Sequence, residues 1–253
     1  MKEPYYRTAL VTGASSGLGR GLALWLGRRG VRVHAAARRR SHLEELAREA
    51  REVGAQVEPL ELDVSQAQAT HERVRALDEA CGGLDLVVAN AGVGWPTDAR
   101  HFDWERARQV IDVNVLGAVA TLSAVLPRMV ERDRGHLVGV SSLASCRGLP
   151  RNAAYSASKA FLDTFLESLR VDLHGTRVRV TCLKPGFVKT EMTADIRHAM
   201  PFLMEPEEAV ERMGRALLRA PAEYGFPWPM ARAVELARWA PRWLFDAIAS
   251  RAL

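Results

Sequence analysis

Cysteine, lysine and tyrosine are scarce in this 253-residue chain, which holds three, four and four of them. Cys81, Cys146 and Cys182 form no Cys-x-x-Cys pair and have no histidine at metal-binding spacing. That excludes a disulfide framework and a zinc site, and leaves three reduced, buried, small apolar thiols of a cytoplasmic protein. The seven histidines show no His-Glu-x-x-His pattern, so no metal is expected. Carboxylates paired at catalytic spacing are lacking as well. Long apolar runs are also missing. The start, MKEPYYRTALVTG, lacks the apolar stretch of a secretory leader. The most apolar stretch, residues 113–126, is interrupted by Asn114, Thr121 and Ser123 and fits a buried helix rather than a bilayer span.

Charge of one sign is in small excess, 35 Lys plus Arg against 30 Asp plus Glu, for a net +5. The arginines are interleaved with acids, as in Arg48-Glu49-Ala50-Arg51-Glu52. Such mixing describes solvated helix faces and argues against a nucleic-acid surface. Hydrophobic residues at 48% exclude global disorder and suit one sizeable core.

What is present is a rhythm. Short β-branched runs at 8–11, 31–36, 57–62, 84–89, 136–141, 177–183 and 223–226 alternate with helical patterns at 18–29, 41–53, 67–80, 104–130, 155–173 and 207–218. Ser41 reads as the cap of the second helix, with Glu44 in the capping-box position. The βαβ alternation predicts one α/β domain over 1–253, a Rossmann-type doubly wound parallel sheet with helices on both faces. About seven strands are expected, in the order 3-2-1-4-5-6-7. Residues 229–253 read as a helical tail that breaks at Pro241.

Between the first strand and the first helix lies Thr12-Gly13-Ala14-Ser15-Ser16-Gly17-Leu18-Gly19. Glycines let a backbone turn sharply and approach a ligand closely. The helix start that follows offers free N–H groups and a positive dipole end, which suit a pyrophosphate. This loop resembles the cofactor loop of the short-chain dehydrogenase/reductase family. Further matches follow in family order: Asp63-Val64, Asn90-Ala91-Gly92, Asn114, Ser142, Tyr155 with Lys159, and Pro185-Gly186 with Thr190. The resemblance runs over about residues 6 to 190 and fades in the last sixty or so.

The end of the second strand reads Ala35-Ala36-Ala37-Arg38-Arg39-Arg40, with no acid to bind a ribose 2′-OH. An arginine there accepts the 2′-phosphate of NADP(H) instead. The resemblance makes Arg38 the first candidate and Arg39 the second, with Ser15 as a further donor. The other reading is a solvated basic turn and NAD(H). The resemblance also implies that Asp63 meets the adenine amino group, with Val64 beneath the ring. Asp63 serves equally as a helix cap. Ser16, Leu18, Asn90, Ala91 and Gly92 complete the implied cofactor set, with Pro185, Gly186, Val188 and Thr190 at the nicotinamide end.

Tyr155 and Lys159 stand one helical turn apart and share a face. With so few of either residue, chance supplies roughly 0.06 such pairs in the chain. A phenol must fall from about 10 to near 7 to exchange a proton at neutral pH, which takes about 4 kcal/mol of preference for the anion. A nearby ammonium and a cationic nicotinamide ring supply that field. The resemblance makes Tyr155 the acid/base and gives Lys159 a bond to the nicotinamide ribose. Ser142 then holds the substrate oxygen, and Asn114 a water that relays protons from Lys159. Ser141 is the neighbouring alternative to Ser142 and reads as facing the core.

Residues 191–205 would cover the substrate, through apolar Met192, Ile196, Met200, Pro201, Phe202, Leu203 and Met204. Val93, Gly94, Trp95, Leu143, Cys146 and Leu149 are further pocket candidates. The expected activity is an NADP(H)-dependent interconversion of a carbonyl and an alcohol on a medium-sized apolar substrate, in a homodimer or homotetramer. The alternatives are a nucleotide-sensing module without turnover, and an isomerase or dehydratase of the same fold. The tail, with Trp228, Trp239, Trp243 and Phe245 among Arg232, Arg238, Arg242 and Arg251, reads as packing on the body or a second subunit before a membrane surface.

Overall fold

The central strands are short and almost wholly apolar because helices cover both of their faces. In this computed structural model, which describes residues 6–194 and 200–250, seven parallel strands form one sheet in the order β3-β2-β1-β4-β5-β6-β7. They are β1 Thr8–Thr12, β2 Arg32–Ala37, β3 Val57–Glu61, β4 Leu86–Ala89, β5 Gly135–Val140, β6 Val178–Pro185 and β7 Glu223–Phe226. Lys2, Ile196, His198 and Arg251 lie outside the described residues. Side chains alternate between the faces with period two. Ala9, Val11, Val33, Ala35, Leu86 and Val88 enter one apolar cluster, while Leu10, Ala36, Val87 and Ala89 enter the other. Pro59 sits in β3, an edge strand, where a missing N–H costs no ladder bond.

The helices are α1 Gly17–Gly27, α2 Arg40–Glu52, α3 Ala67–Ala80, α4 Trp104–Ile111, α5 Gly117–Ser123, α6 Leu126–Glu131, α7 Ala153–Asp172, α8 Pro206–Arg219, α9 Trp228–Arg238 and α10 Arg242–Ala249. Strand order reverses between β1 and β4, and the crevice beyond their C-terminal ends is where such sheets bind ligands.

Two expectations need correction. Ser41 does not cap the second helix: α2 starts at Arg40 after Arg39, without a side-chain cap, and Glu44 pairs with Arg40 at 2.8 Å. The Arg39 side chain is drawn away to Ser15 and Ser16. Nor is 104–130 one helix. A π-turn, Asp112–Leu116, interrupts it between α4 and α5, and Gly117 N–H bonds the carbonyl of Asp112. The stretch Trp104–Glu131 is long and apolar enough to cross a membrane by composition. Its Val110, Val113, Ala118 and Leu122 are instead buried in the fold.

Candidate active site

The loop after β1 tolerates nothing but glycine at two points. Gly13 has φ +69°, and a Cβ there would lie 2.7 Å from the Ala91 Cα. At Gly19 a Cβ would strike the Asn90 amide and the Gly13 carbonyl. The strand ends are tied together by Thr12, a residue that sequence reasoning left out of the site. Its Oγ1 accepts the N–H groups of Asn90 and Ala91, both at 3.1 Å. The Asn90 amide donates to the Thr12 carbonyl at 2.8 Å. Asn90 is therefore a brace between β1 and β4. Leu18 packs on the core, and α1 begins at Gly17 without an acid in its first turn or a side-chain cap. Its first N–H groups suit an anion.

At the end of β2, Arg39 rather than Arg38 reaches this loop. Its guanidinium donates to Ser15 Oγ at 3.0 Å and to Ser16 Oγ at 2.8 Å. Arg38 lines a neighbouring cavity with Ser65, Gln66 and Gln109. Asp63 caps its own turn, accepting from the backbone N–H of Ser65 at 3.0 Å and its hydroxyl at 2.8 Å. Val64 is buried, and its carbonyl would be 2.7 Å from a Cβ on Gly117.

Four side chains named from the sequence meet beyond the ends of β4 and β5. Lys159 is buried on α7 and donates through Nζ to the Val140 carbonyl at 2.8 Å, with Nζ 5.7 Å from the Tyr155 ring centroid. Ser142, just past β5, lies beside the Tyr155 phenol and acts to lower its pKa. Its hydroxyl also accepts from Ala144 N–H at 3.1 Å and donates to the Pro185 carbonyl at 3.4 Å. Ser141 turns the other way, to the Lys159 carbonyl at 3.1 Å. Asn114 is buried in the π-turn and clamps the Val93 backbone from both sides, at 2.8 and 2.9 Å. Its amide also donates to Ser158 Oγ at 3.0 Å, and that hydroxyl donates to the Tyr155 carbonyl.

Two glycines keep the floor of this cleft clear. A Cβ on Gly92 would come within 3.4 Å of both Asn114 Oδ1 and Lys159 Nζ. One on Gly94 would touch the Tyr155 ring at 3.2 Å and Met192 Sδ at 3.7 Å. Such a cradle admits a flat ring against backbone.

Burial pushes the Lys159 ammonium down to about 8, against the pull of Asp163 one turn along. Burial also raises the Tyr155 phenol, and Ser142 works against it. Among the described residues burial outweighs Ser142, and the phenol stays above its ordinary value.

The segment after β6 passes over the loop. Gly186 N–H bonds the Phe226 carbonyl at 2.7 Å, Val188 is buried beside Met204, and Thr190 lies 3.4 Å from where a Gly17 Cβ would be. Glu191 accepts from Ser16 at 3.1 Å and Arg39 at 3.2 Å. Sequence reasoning missed it, and its only signal is an acid directly after Thr190. Of the expected cover, Met192 faces the cleft, Met204 belongs to the core and Phe202 is exposed, while the pocket candidate Leu143 is buried in the core as well.

The tail docks by few contacts. Arg147 donates to the carbonyls of Arg238 and Ala240 and lies 4.3 Å over Phe245, while Cys146 Sγ meets the Val234 carbonyl. Trp228, Trp239 and Trp243 remain exposed.

Comparison with known proteins fits this geometry. The family model described as short chain dehydrogenase matches residues 7–201. A Myxococcus xanthus protein named an uncharacterized oxidoreductase is 66% identical over 251 residues, 99% of each chain. An alcohol dehydrogenase from Thermococcus sibiricus, solved with 5-hydroxy-NADP, superposes with a TM-score of 0.77 at 30% identity, over 87% of this chain and 95% of that one. A short-chain dehydrogenase from Sphingobium yanoikuyae, solved with NADPH, gives a TM-score of 0.81 at 26% identity, over 91% and 93%. The chain belongs to the short-chain dehydrogenase family and is an oxidoreductase of that kind.

Proposed function

We propose that this protein interconverts a carbonyl and an alcohol with NADP(H), preferred over NAD(H), and that reduction is its working direction. The observation that carries the reading is the grouping of the Tyr155 phenol beside Ser142, with Lys159 Nζ 5.7 Å from its ring centroid, above the glycine floor. The bound nicotinamide supplies the hydride. Gly13, Ser15, Ser16, Gly17, Leu18 and Gly19 would hold its phosphates, with Asn90, Ala91 and Gly92 bounding the cleft. Asp63 and Val64 would meet the adenine. Pro185, Gly186, Val188 and Thr190 would bound the nicotinamide end. Arg39 and Arg38 favour a 2′-phosphate, which agrees with the NADP forms held by the Thermococcus and Sphingobium enzymes.

Ser142 Oγ and Tyr155 Oη hold the carbonyl oxygen, and Tyr155 Oη gives it a proton. Because burial raises the phenol above its ordinary value, Tyr155 carries that proton throughout the neutral range. Lys159 stabilises the phenolate left behind, and Asn114 fixes the 93–94 turn and α7 around it. A water held at Asn114 would return the proton through Lys159. Met192, Gly94 and Trp95 suit an apolar, medium-sized substrate. The chain acts as one domain, with 191–205 as its substrate cover. Ile111, Leu116, Phe161 and Val171 are exposed on the long helices and suit a second copy, as the tail does. Free thiols at Cys81, Cys146 and Cys182 suit the cytoplasm.

The test is NADPH oxidation across a carbonyl panel, with Tyr155→Phe as the blank. Loss of a general acid should lower kcat by about 10²–10⁴-fold. Unchanged turnover in that variant rejects the acid/base assignment, and a panel in which only charged carbonyls react rejects the apolar pocket.

A further inference from the structure

A carboxylate sits where the cleft is built to receive a phosphate. Glu191 follows Thr190 on the segment that crosses the loop, and it reaches over to the end of β2. Its Oε2 accepts from Ser16 Oγ at 3.1 Å and from Arg39 Nη2 at 3.2 Å. The same nitrogen of Arg39 donates to Ser16 Oγ at 2.8 Å and Ser15 Oγ at 3.0 Å. A guanidinium and a hydroxyl converging on one anionic oxygen make the donor set that a phosphate oxygen takes.

We propose that Glu191 is a specificity-determining residue, whose carboxylate holds the Arg39–Ser16 seat and competes for it with the 2′-phosphate of NADP(H). This rests on the NADP reading above. Two anions cannot share one guanidinium nitrogen without repulsion, so a phosphate that takes the Nη2–Ser16 seat displaces the carboxylate. NAD(H), with a hydroxyl at that position, needs no such displacement. Glu191 therefore narrows the margin between the two cofactors. The side chains of Arg39 and Glu191 are 42% and 65% exposed, so water screens the pair and the phosphate can win. Such a residue tunes the preference and does not block the site.

Equilibrium titration of NADPH and NADH, read by fluorescence, tests this on the full-length wild type, Glu191→Gln, Arg39→Ala and the double variant. The exposed position of Glu191 leaves the fold intact, which a thermal melt verifies. Wild type is expected to bind NADPH the tighter. Glu191→Gln should tighten NADPH about threefold to fivefold, an exposed ion pair's worth, and leave NADH within about 1.5-fold. The gain should shrink in high salt and vanish in the Arg39→Ala background. A weaker hold on NADPH in Glu191→Gln would mean that the carboxylate straps the cofactor in, and overturns the proposal. Equal shifts for both cofactors overturn it too. A wild type that does not distinguish the cofactors overturns the NADP reading and this inference with it. A preference for NADPH that Glu191→Gln leaves unchanged overturns this inference alone.

Discussion

Lys159 keeps a charge-bearing group in a buried part of the cleft. It is held in a buried place by the Val140 carbonyl, and that burial brings its ammonium down to about 8. The charge is present below that value and lost above it. Carbonyl reduction should therefore hold level from about pH 6 to 7.5 and fall above about 8, as the cation beside the phenol disappears. The kcat profile for a neutral ketone reads this directly, and a level profile to pH 9.5 would show that the ammonium is retained. Tyr155 on its own would give no such limb, because its phenol lies above its ordinary value. Tyr155, Lys159 and Ser142 could be named from the chain because their types and order are rare together. The family resemblance chose Ser142 over Ser141, and the two hydroxyls do face opposite ways. Glu191 gave no comparable signal, since its partner Arg39 is 152 positions away.

At the scale of elements, the turn that carries Asn114 is the part of the site least like its sequence. An unbroken periodic stretch reads as one helix, yet a π-turn runs through Asp112–Leu116. Such turns concentrate at functional sites. This one brings Asn114 onto the Val93 backbone and Ser158 together. Just after it, Gly117 stands against Val64, so that α5 and the turn after β3 nearly touch. Gly117→Ala sets two effects against each other. Alanine in a helix favours folding by about 1 kcal/mol over glycine, and overpacking against backbone costs about 1–3 kcal/mol. The nearest atom is a carbonyl oxygen that cannot swing aside, so the cost should win. Urea melts should show a net loss of about 1 kcal/mol, with a higher KM for NADPH from the displaced Val64. A gain in stability would show that the approach relaxes cheaply. The Ser41 cap failed because α2 already starts at Arg40, which puts Ser41 inside the first turn and gives Glu44 to Arg40 instead.

At the scale of the whole molecule, one buried network links Tyr6, ahead of β1, and α8 to the sheet. His136 on β5 is 1% exposed and lies between Tyr6 Oη and Thr181 Oγ1, both at 2.8 Å. Tyr6 in turn donates to the Leu217 carbonyl. Burial lowers His136 from 6.5 to about 3. Between those values the unfolded chain binds a proton that the folded one refuses, so stability rises with pH across that window. The contribution is complete above pH 6.5 and is lost as the pH falls toward 3, with a slope of up to about 1.4 kcal/mol per unit. His136→Asn should flatten the acid limb of a plot of urea-melt stability against pH. The same steepness in that variant would move the effect to another group. The histidine's neutrality was not legible in the sequence, where it reads as a strand-end residue; burial against α8 and β6 decides it.

Local pattern determined the strand–helix alternation, the glycine loop and the Tyr155–Lys159 pair, because periodicity and rare spacings are properties of neighbouring positions, while the strand order and the ordered set from Asp63 to Thr190 came with the family resemblance. Tertiary structure alone decided that Arg39 rather than Arg38 reaches Ser15 and Ser16, that Asn90 braces β1 to β4, that Met204 joins the core while Met192 faces the cleft, and that Glu191 closes on the anion seat. Each of these depends on which side chain wins a shared space between distant segments, a competition settled by distance and burial once the chain has folded.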